Sequence, residues 1–167
     1  MRGLNNMVKK ITSILLSLIL LTGLSLTSFA SNYDENQEAI QTIEYFEDGS
    51  SLEIILRAEP VLTRSNSFNA YGTKTLTFRD NDGNVIWEVN FKATFNVNQG
   101  VSATCTAASF ETPRIYDSNW KYITNTTSKN GNKASGTITM RKYFMGLPVR
   151  TETPTTTITC DIYGKLT

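Results

Sequence analysis

Histidine is absent from all 167 residues. Its absence removes the usual general base, the commonest metal ligand and every Ser-His or Cys-His nucleophile arrangement. Carboxylate pairs are the chemistry that remains, because glycosidases work with two acids about 5–10 Å apart. Glu44, Glu47, Asp48 and Glu53 form the one dense acidic set. They surround a turn composition, where charge ordinarily belongs to a solvated face. Asp80-Asn81-Asp82-Gly83-Asn84 invites a calcium reading. An EF-hand loop places its glycine two positions later and needs a glutamate farther on, so this is a turn. No catalytic residue, metal or cofactor is assigned, and the chain is read as non-enzymatic.

Two residue sets are candidates for binding. Tyr116, Asn119, Trp120 and Tyr122 interleave aromatic faces with amides, a mixture that stacks on sugar rings while bonding their hydroxyls. The plainer account is that Trp120 and Tyr122 fill one end of the core. Phe144, Met145 and Leu147 sit at an expected hairpin tip, where they would touch a membrane or a protein partner. Packing of that tip on a neighbouring loop is the blander alternative. Threonine rows over 151–159 form a regular hydroxyl face, which threonine's β preference explains without a ligand.

The element that positions these groups is the stretch 85–97. Val85, Trp87, Val89, Phe91, Ala93, Phe95 and Val97 are apolar, and of the intervening residues all but Ile86 are polar or charged. A period of two describes a strand with one buried face. After Asn98-Gln99-Gly100 the alternation resumes with Val101, Ala103, Cys105 and Ala107, which predicts a hairpin partner. Ile158, Cys160 and Ile162 alternate with Thr159 and Asp161 in the same way. Both cysteines therefore point inward, and in an oxidising compartment they are expected to form one buried disulfide. Such a link would contribute about 4 kcal/mol in the chain-entropy model.

Further strands are expected on either side. Residues 42–46 and 52–56 flank Glu47-Asp48-Gly49-Ser50-Ser51 as a first hairpin, and a long flexible loop is predicted over 57–72. Residues 73–78 alternate into the Asp-Gly turn, a strong hairpin signal. Residues 115–123 lead to a polar loop predicted at 125–132. Ala134, Gly136, Ile138, Met140 and Phe144 then alternate toward Met145-Gly146-Leu147-Pro148. Pro154 marks an edge or bulge before the last strand. Seven or eight strands without a convincing helix predict an all-β, two-sheet antiparallel sandwich. It is not of immunoglobulin order, because Trp87 precedes both cysteines.

Residues 1–30 have the three parts of a secretory signal peptide. Arg2, Lys9 and Lys10 precede an apolar run at 11–21, and Ser28-Phe29-Ala30 offers a cleavage site after Ala30. That run is shorter than the ~20 residues of a spanning helix, so no stable membrane anchor is expected after cleavage. The domain is then 31–167, with 31–38 a loose lead-in. It carries 13 basic and 15 acidic residues, net −2. A balance so close to neutral implies neither a nucleic-acid binder nor a strong membrane binder.

Phe46-Glu47-Asp48-Gly49-Ser50, Asp82-Gly83-Asn84-Val85-Ile86-Trp87-Glu88-Val89, Cys105-Thr106, Asn119-Trp120-Lys121, Tyr143-Phe144-Met145-Gly146-Leu147-Pro148-Val149 and Thr157-Ile158-Thr159-Cys160 together resemble an uncharacterised family of small secreted proteins of clostridia and related Gram-positive bacteria. The resemblance implies an exported all-β domain and carries over no activity, ligand or site residue. The expectation is a secreted, non-enzymatic β-sandwich module at or outside the cell envelope that binds a glycan or protein. A small antimicrobial or toxin-like effector acting on membranes is the alternative. A carboxylate-based hydrolase comes third.

Overall fold

The inward stripe of residues 85–97 lies at the centre of a two-sheet antiparallel sandwich. The computed structural model describes residues 40–59 and 65–167. The expected signal peptide, the lead-in 31–38 and the middle of the expected 57–72 loop lie outside the described residues. The described residues form ten strands: β1 (Ile40–Tyr45), β2 (Ser51–Ala58), β3 (Ser67–Arg79), β4 (Val85–Asn98), β5 (Ser102–Phe110), β6 (Arg114–Ile115), β7 (Trp120–Asn130), β8 (Lys133–Phe144), β9 (Leu147–Glu152) and β10 (Thr155–Thr159). No helix occurs among the described residues.

The larger sheet has the order β1-β2-β3-β4-β5, with the short β6 continuing along β4 past the end of β5. In the smaller sheet β8 is central. β7 pairs with one side of it, and β10 and β9 lie end to end along the other. Trp87, Phe91, Phe95 and Val97 of β4 are fully buried together with Ile138, Met140 and Ile158 of the smaller sheet. The remaining inward positions of β4 are buried too, apart from the half-buried Val85 at its start.

Two loop expectations are corrected. Among the described residues of 57–72 strand predominates, since Arg57 and Ala58 end β2 and Ser67 to Gly72 begin β3. The Ser/Asn-rich sequence there hides a period of two in which Phe68, Ala70 and Gly72 pair with Val97, Phe95 and Ala93. The polar stretch 125–132 belongs to β7 as far as Asn130. β7 is an edge strand, exposed along most of both faces, so it lacks the apolar alternation that marks a half-buried strand. Only Gly131 (φ 56°) and Asn132 turn the chain.

The sheets approach closely where β8 carries a glycine. A Cβ built on Gly136 would lie 2.6 Å from a ring carbon of Phe91 and 2.7 Å from one of Phe110. Those two rings are themselves in tilted contact at 4.9 Å, and Phe91 is fully buried. Phe91 cannot swing away into solvent without opening the core, and the half-buried Phe110 ring packs against it. Gly136→Ala is therefore expected to destabilise the fold by about 1–3 kcal/mol through overpacking. Urea unfolding followed by tryptophan emission checks this, and an unchanged midpoint would show that the sheets separate without cost.

Candidate binding surfaces

The β8–β9 hairpin closes through a two-residue turn, Met145-Gly146, with Phe144 paired to Leu147. Both turn residues have positive φ, 50° and 80°. That is the type I′ geometry, in which asparagine or aspartate before glycine is the favoured pair. Met145 is 88% exposed, Leu147 68% and Phe144 63%. The tip thus stands free, and the expected packing on a neighbouring loop is not formed. Met145 is the one non-glycine residue with positive φ among those described.

The first aromatic set divides. Trp120 is 3% exposed and packs at 5.3 Å against Phe78, so it belongs to the core and cannot stack on a ligand. Tyr116, Asn119 and Tyr122 are exposed. Tyr122 Oη accepts a 2.8 Å hydrogen bond from Asn125. The backbone N–H of Tyr143 donates to Asn119 O at 2.8 Å, which places the 116–119 segment beside the base of the hairpin. Sequence spacing showed two separate candidates, and the fold brings them to one end of the smaller sheet.

The outward side of that sheet is a ladder of polar rungs. Ala134, Gly136, Ile138 and Met140 face inward, so Lys133, Ser135, Thr137, Thr139 and Arg141 face out. Register aligns Thr126-Thr137-Thr155, Ser128-Ser135-Thr157, Asn130-Lys133-Thr159 and Lys121-Arg141-Thr151 across three strands, with Thr124 beside Thr139. Each of these side chains is a hydroxyl, an amide or a cation. Ser135 and Thr157 share a hydrogen bond of 2.9 Å, and Thr137 and Thr155 one of 2.8 Å. The threonine row of 151–159 was legible in the sequence. Its extension onto β7 and β8 was not, because it depends on cross-strand register.

At the sandwich edge between β1 and β9–β10 lies a cleft of about 340 Å³, lined by Glu44, Phe46, Phe78, Trp87, Glu152 and Pro154 among others. Arg150 closes one end. It binds the Asp48 carboxylate, Ser50 Oγ at 2.9 Å and Glu152 Oε1 at 2.5 Å, and its guanidinium lies 5.0 Å from the Phe78 ring centre. Hydrogen bonds from Ser50, joined by the Arg150 charge, hold the Asp48 carboxyl below its ordinary range. Trp87 is fully buried and stacks on Phe78 at 5.4 Å, with its Nε1 lacking a partner among the described residues.

The acidic set does not converge on this cleft. Glu44 shares the face of Leu52, whereas Glu53 shares the opposite face with Ile43 and pairs with Arg79 at 3.4 Å. Glu152, which approaches the cleft from β9, was missed because it is remote from the other acids in sequence. The Asp80 carboxylate accepts from the backbone N–H groups of Asp82 and Asn84 and from the Asn84 amide. These bonds, the Asn84 amide foremost, depress its pKa and mark the residue as a turn cap. No cluster of metal-ligating side chains occurs among the described residues.

The expected disulfide is also corrected: Cys105 and Cys160 are both buried free thiols. The Cys105 N–H donates to Gly131 O at 2.7 Å and the Cys160 N–H to Asn132 O at 3.0 Å. The β7–β8 turn thus takes up both cysteine segments, where the two strands had been expected to meet through sulfur. Each Sγ instead approaches a local carbonyl, Ala107 O at 3.3 Å and Asp161 O at 3.4 Å. Burial raises both thiols, Cys160 to about 11 with help from the Asp161 charge. Thiolate, the reactive form, is correspondingly scarce.

No protein-family model matches this chain, and neither a curated protein nor a solved structure shows significant similarity to it.

Two outcomes follow from these placements. Trp120→Ala should cost about 3–5 kcal/mol of stability, as expected for a truncated core aromatic; thermal melting checks this, and a fully stable variant would return Trp120 to the surface. Both cysteines should resist alkylation in the native protein and react in denaturant without any reductant. A mass increment that appeared only after reduction would reinstate the cross-link.

Proposed function

We propose that the protein is an exported, non-enzymatic binding module that works at or outside a Gram-positive cell envelope, and that the polar ladder of the smaller sheet binds an anionic glycan chain. The observation that carries this reading is the alignment of four three-residue rungs, all hydroxyl, amide or cation, over β7, β8 and the β9–β10 side. Hydroxyls donate and accept, so they suit a polymer whose own groups do both. Successive rungs lie about 6.6 Å apart, two strand residues, which offers a repeating chain repeated contacts.

The charges on the outward face of this sheet, Lys121, Lys133 and Arg141, are all positive, and the stretch 118–151 contains no Asp or Glu. The overall balance near neutrality conceals this, because acids are concentrated in 31–60. Export is supported by the tripartite segment 1–30, and the resemblance to small secreted clostridial proteins points the same way. A binding role in place of hydrolysis is supported by the opposed faces of Glu44 and Glu53.

Retention on purified, lipid-free cell-wall polymer tests the proposal. Thr126→Val, Thr137→Val and Thr157→Val combined remove hydroxyls while keeping side-chain shape and β preference. The triple variant should lose at least about tenfold in affinity, close to the cost of one net hydrogen bond of about 1 kcal/mol or more, while remaining cooperatively folded at the binding temperature despite losing the Ser135–Thr157 and Thr137–Thr155 bonds. Added salt should weaken the wild type. Equal retention by the triple variant, or none by the wild type, overturns the proposal.

A further inference from the structure

The hairpin tip breaks two local rules that the fold gives no reason to break. A type I′ turn favours asparagine or aspartate before its glycine, yet Met145 occupies that position at φ 50° with almost its whole side chain in solvent. Around it Phe144, Leu147 and Val149 are also exposed. Phe144 and Leu147 lie beyond the last pair of β7, Trp120 with Lys142, so the tip projects past its neighbouring strand.

The second breach is electrostatic. Lys121 and Arg141 are direct cross-strand partners, and like charges placed opposite each other destabilise a sheet. Neither forms an ion pair among the described residues. Lys121 lies over the Tyr143 ring at 5.1 Å, and Arg141 donates to Thr151 Oγ1 at 3.3 Å. Measured along β8, the pair stands about 10 Å behind Phe144, three strand residues. That offset is close to the depth of about 5–10 Å at which apolar faces sit in the headgroup–acyl boundary.

We propose that the β8–β9 tip is a wedge for an anionic lipid bilayer, with Phe144, Met145 and Leu147 entering the interfacial layer while Lys121 and Arg141 hold headgroup phosphates. Charge complementarity selects this occupant. Apolar residues alone would serve a protein pocket equally well, whereas a like-charged pair set one headgroup layer behind the tip suits a surface of uniform negative charge. Tyr143 stands at the hairpin base, where an aromatic side chain suits the membrane–water boundary. The site shares the Lys121–Arg141–Thr151 rung with the polar ladder but none of the three hydroxyls replaced in the glycan test, so failure of glycan binding leaves this proposal intact.

Both native tryptophans are buried, so a tryptophan placed at the tip is a clean reporter. Full-chain protein carrying Phe144→Trp is mixed with phosphatidylglycerol or phosphatidylcholine vesicles bearing an acyl-chain quencher. The reporter should blue-shift and be quenched in phosphatidylglycerol only. Lys121→Gln with Arg141→Gln should weaken the response at least about tenfold, the scale expected for two surface cations at roughly 1 kcal/mol each. Adding Met145→Ser and Leu147→Ser should abolish it. A Val101→Trp reporter, at the β4–β5 turn, should stay unshifted even if the apolar run 11–21 tethers the chain to vesicles. Free inorganic phosphate should leave the Phe144→Trp emission unchanged. A tip reporter that remains in water with phosphatidylglycerol overturns the wedge and leaves the tip to a protein partner. An equal response with phosphatidylcholine overturns the role given to Lys121 and Arg141.

Discussion

Everything in this molecule depends on how closely the two sheets can approach along β4 and β8. The inward stripe of β4 is dominated by large side chains, with the single small residue Ala93, while its counterpart on β8 alternates Ala134, Gly136, Ile138 and Met140. Large residues fit opposite small ones, and the rings of Phe91 and Phe110 occupy the space that a side chain at position 136 would take. Gly72 plays the same part on β3, since a Cβ there would meet Leu166 at 2.7 Å and Ile158 at 3.4 Å. Without a disulfide between the layers, cohesion comes from this packing, at roughly 25 cal/mol for each Å² of apolar surface buried.

The two long edges of the sandwich are managed differently. On one side β5 and β7 come together, with Lys129 Nζ donating to Thr106 O at 2.8 Å and the Cys105 N–H bound to the β7–β8 turn. On the other side β1 is an edge strand of the larger sheet, next to the cleft. Glu44 points inward there beside Leu52, and an inward charge is one of the devices that deters edge-to-edge pairing. Arg150 spans the opening, holding the β1–β2 turn through Asp48 and Ser50 and its own strand through Glu152. Because this guanidinium also lies over Phe46 and Phe78, it is packed as well as paired. These groups have a structural account in that edge, in contrast to the exposed residues of the hairpin tip.

What could be read from the sequence follows from where each signal resides. Alternation over 85–97 survives because β4 is central and half-buried along its length, and the Asp-Gly turn before it is local chemistry. Gly83 adopts φ 84° there, and Asp80 caps the turn. β7 and the start of β3 were hidden, since polar residues on edge or outward positions leave no apolar period to detect. Inward parity was right for both cysteines. Their partnership was not, because parity says which face a side chain occupies and nothing about which strand lies across from it. Trp120 shows the same limit in reverse, as its polar neighbours made a buried aromatic resemble part of a binding set. The exposure of Phe144, Met145 and Leu147 depends on β8 and β9 outrunning β7, a matter of strand length that no local motif encodes.

Near-neutral composition proved a poor guide to the outward face of the smaller sheet, because the acidic and basic residues are unevenly distributed along the chain. An outward face that carries Lys121, Lys133 and Arg141 and no acid presents a field that net charge averages away. The tip and the Lys121–Arg141 pair sharpen this point. Asparagine at 145 would suit the turn better, and threonine at 121 or 141 would relieve the repulsion and extend the hydroxyl rungs. The sequence instead keeps residues that make the isolated domain less stable than its own neighbours show it could be. Conflicts of this kind between local preference and the residue present are expected where a surface serves contact rather than folding. Both fall at the end of the smaller sheet where β8 and β9 project beyond the rest of the molecule.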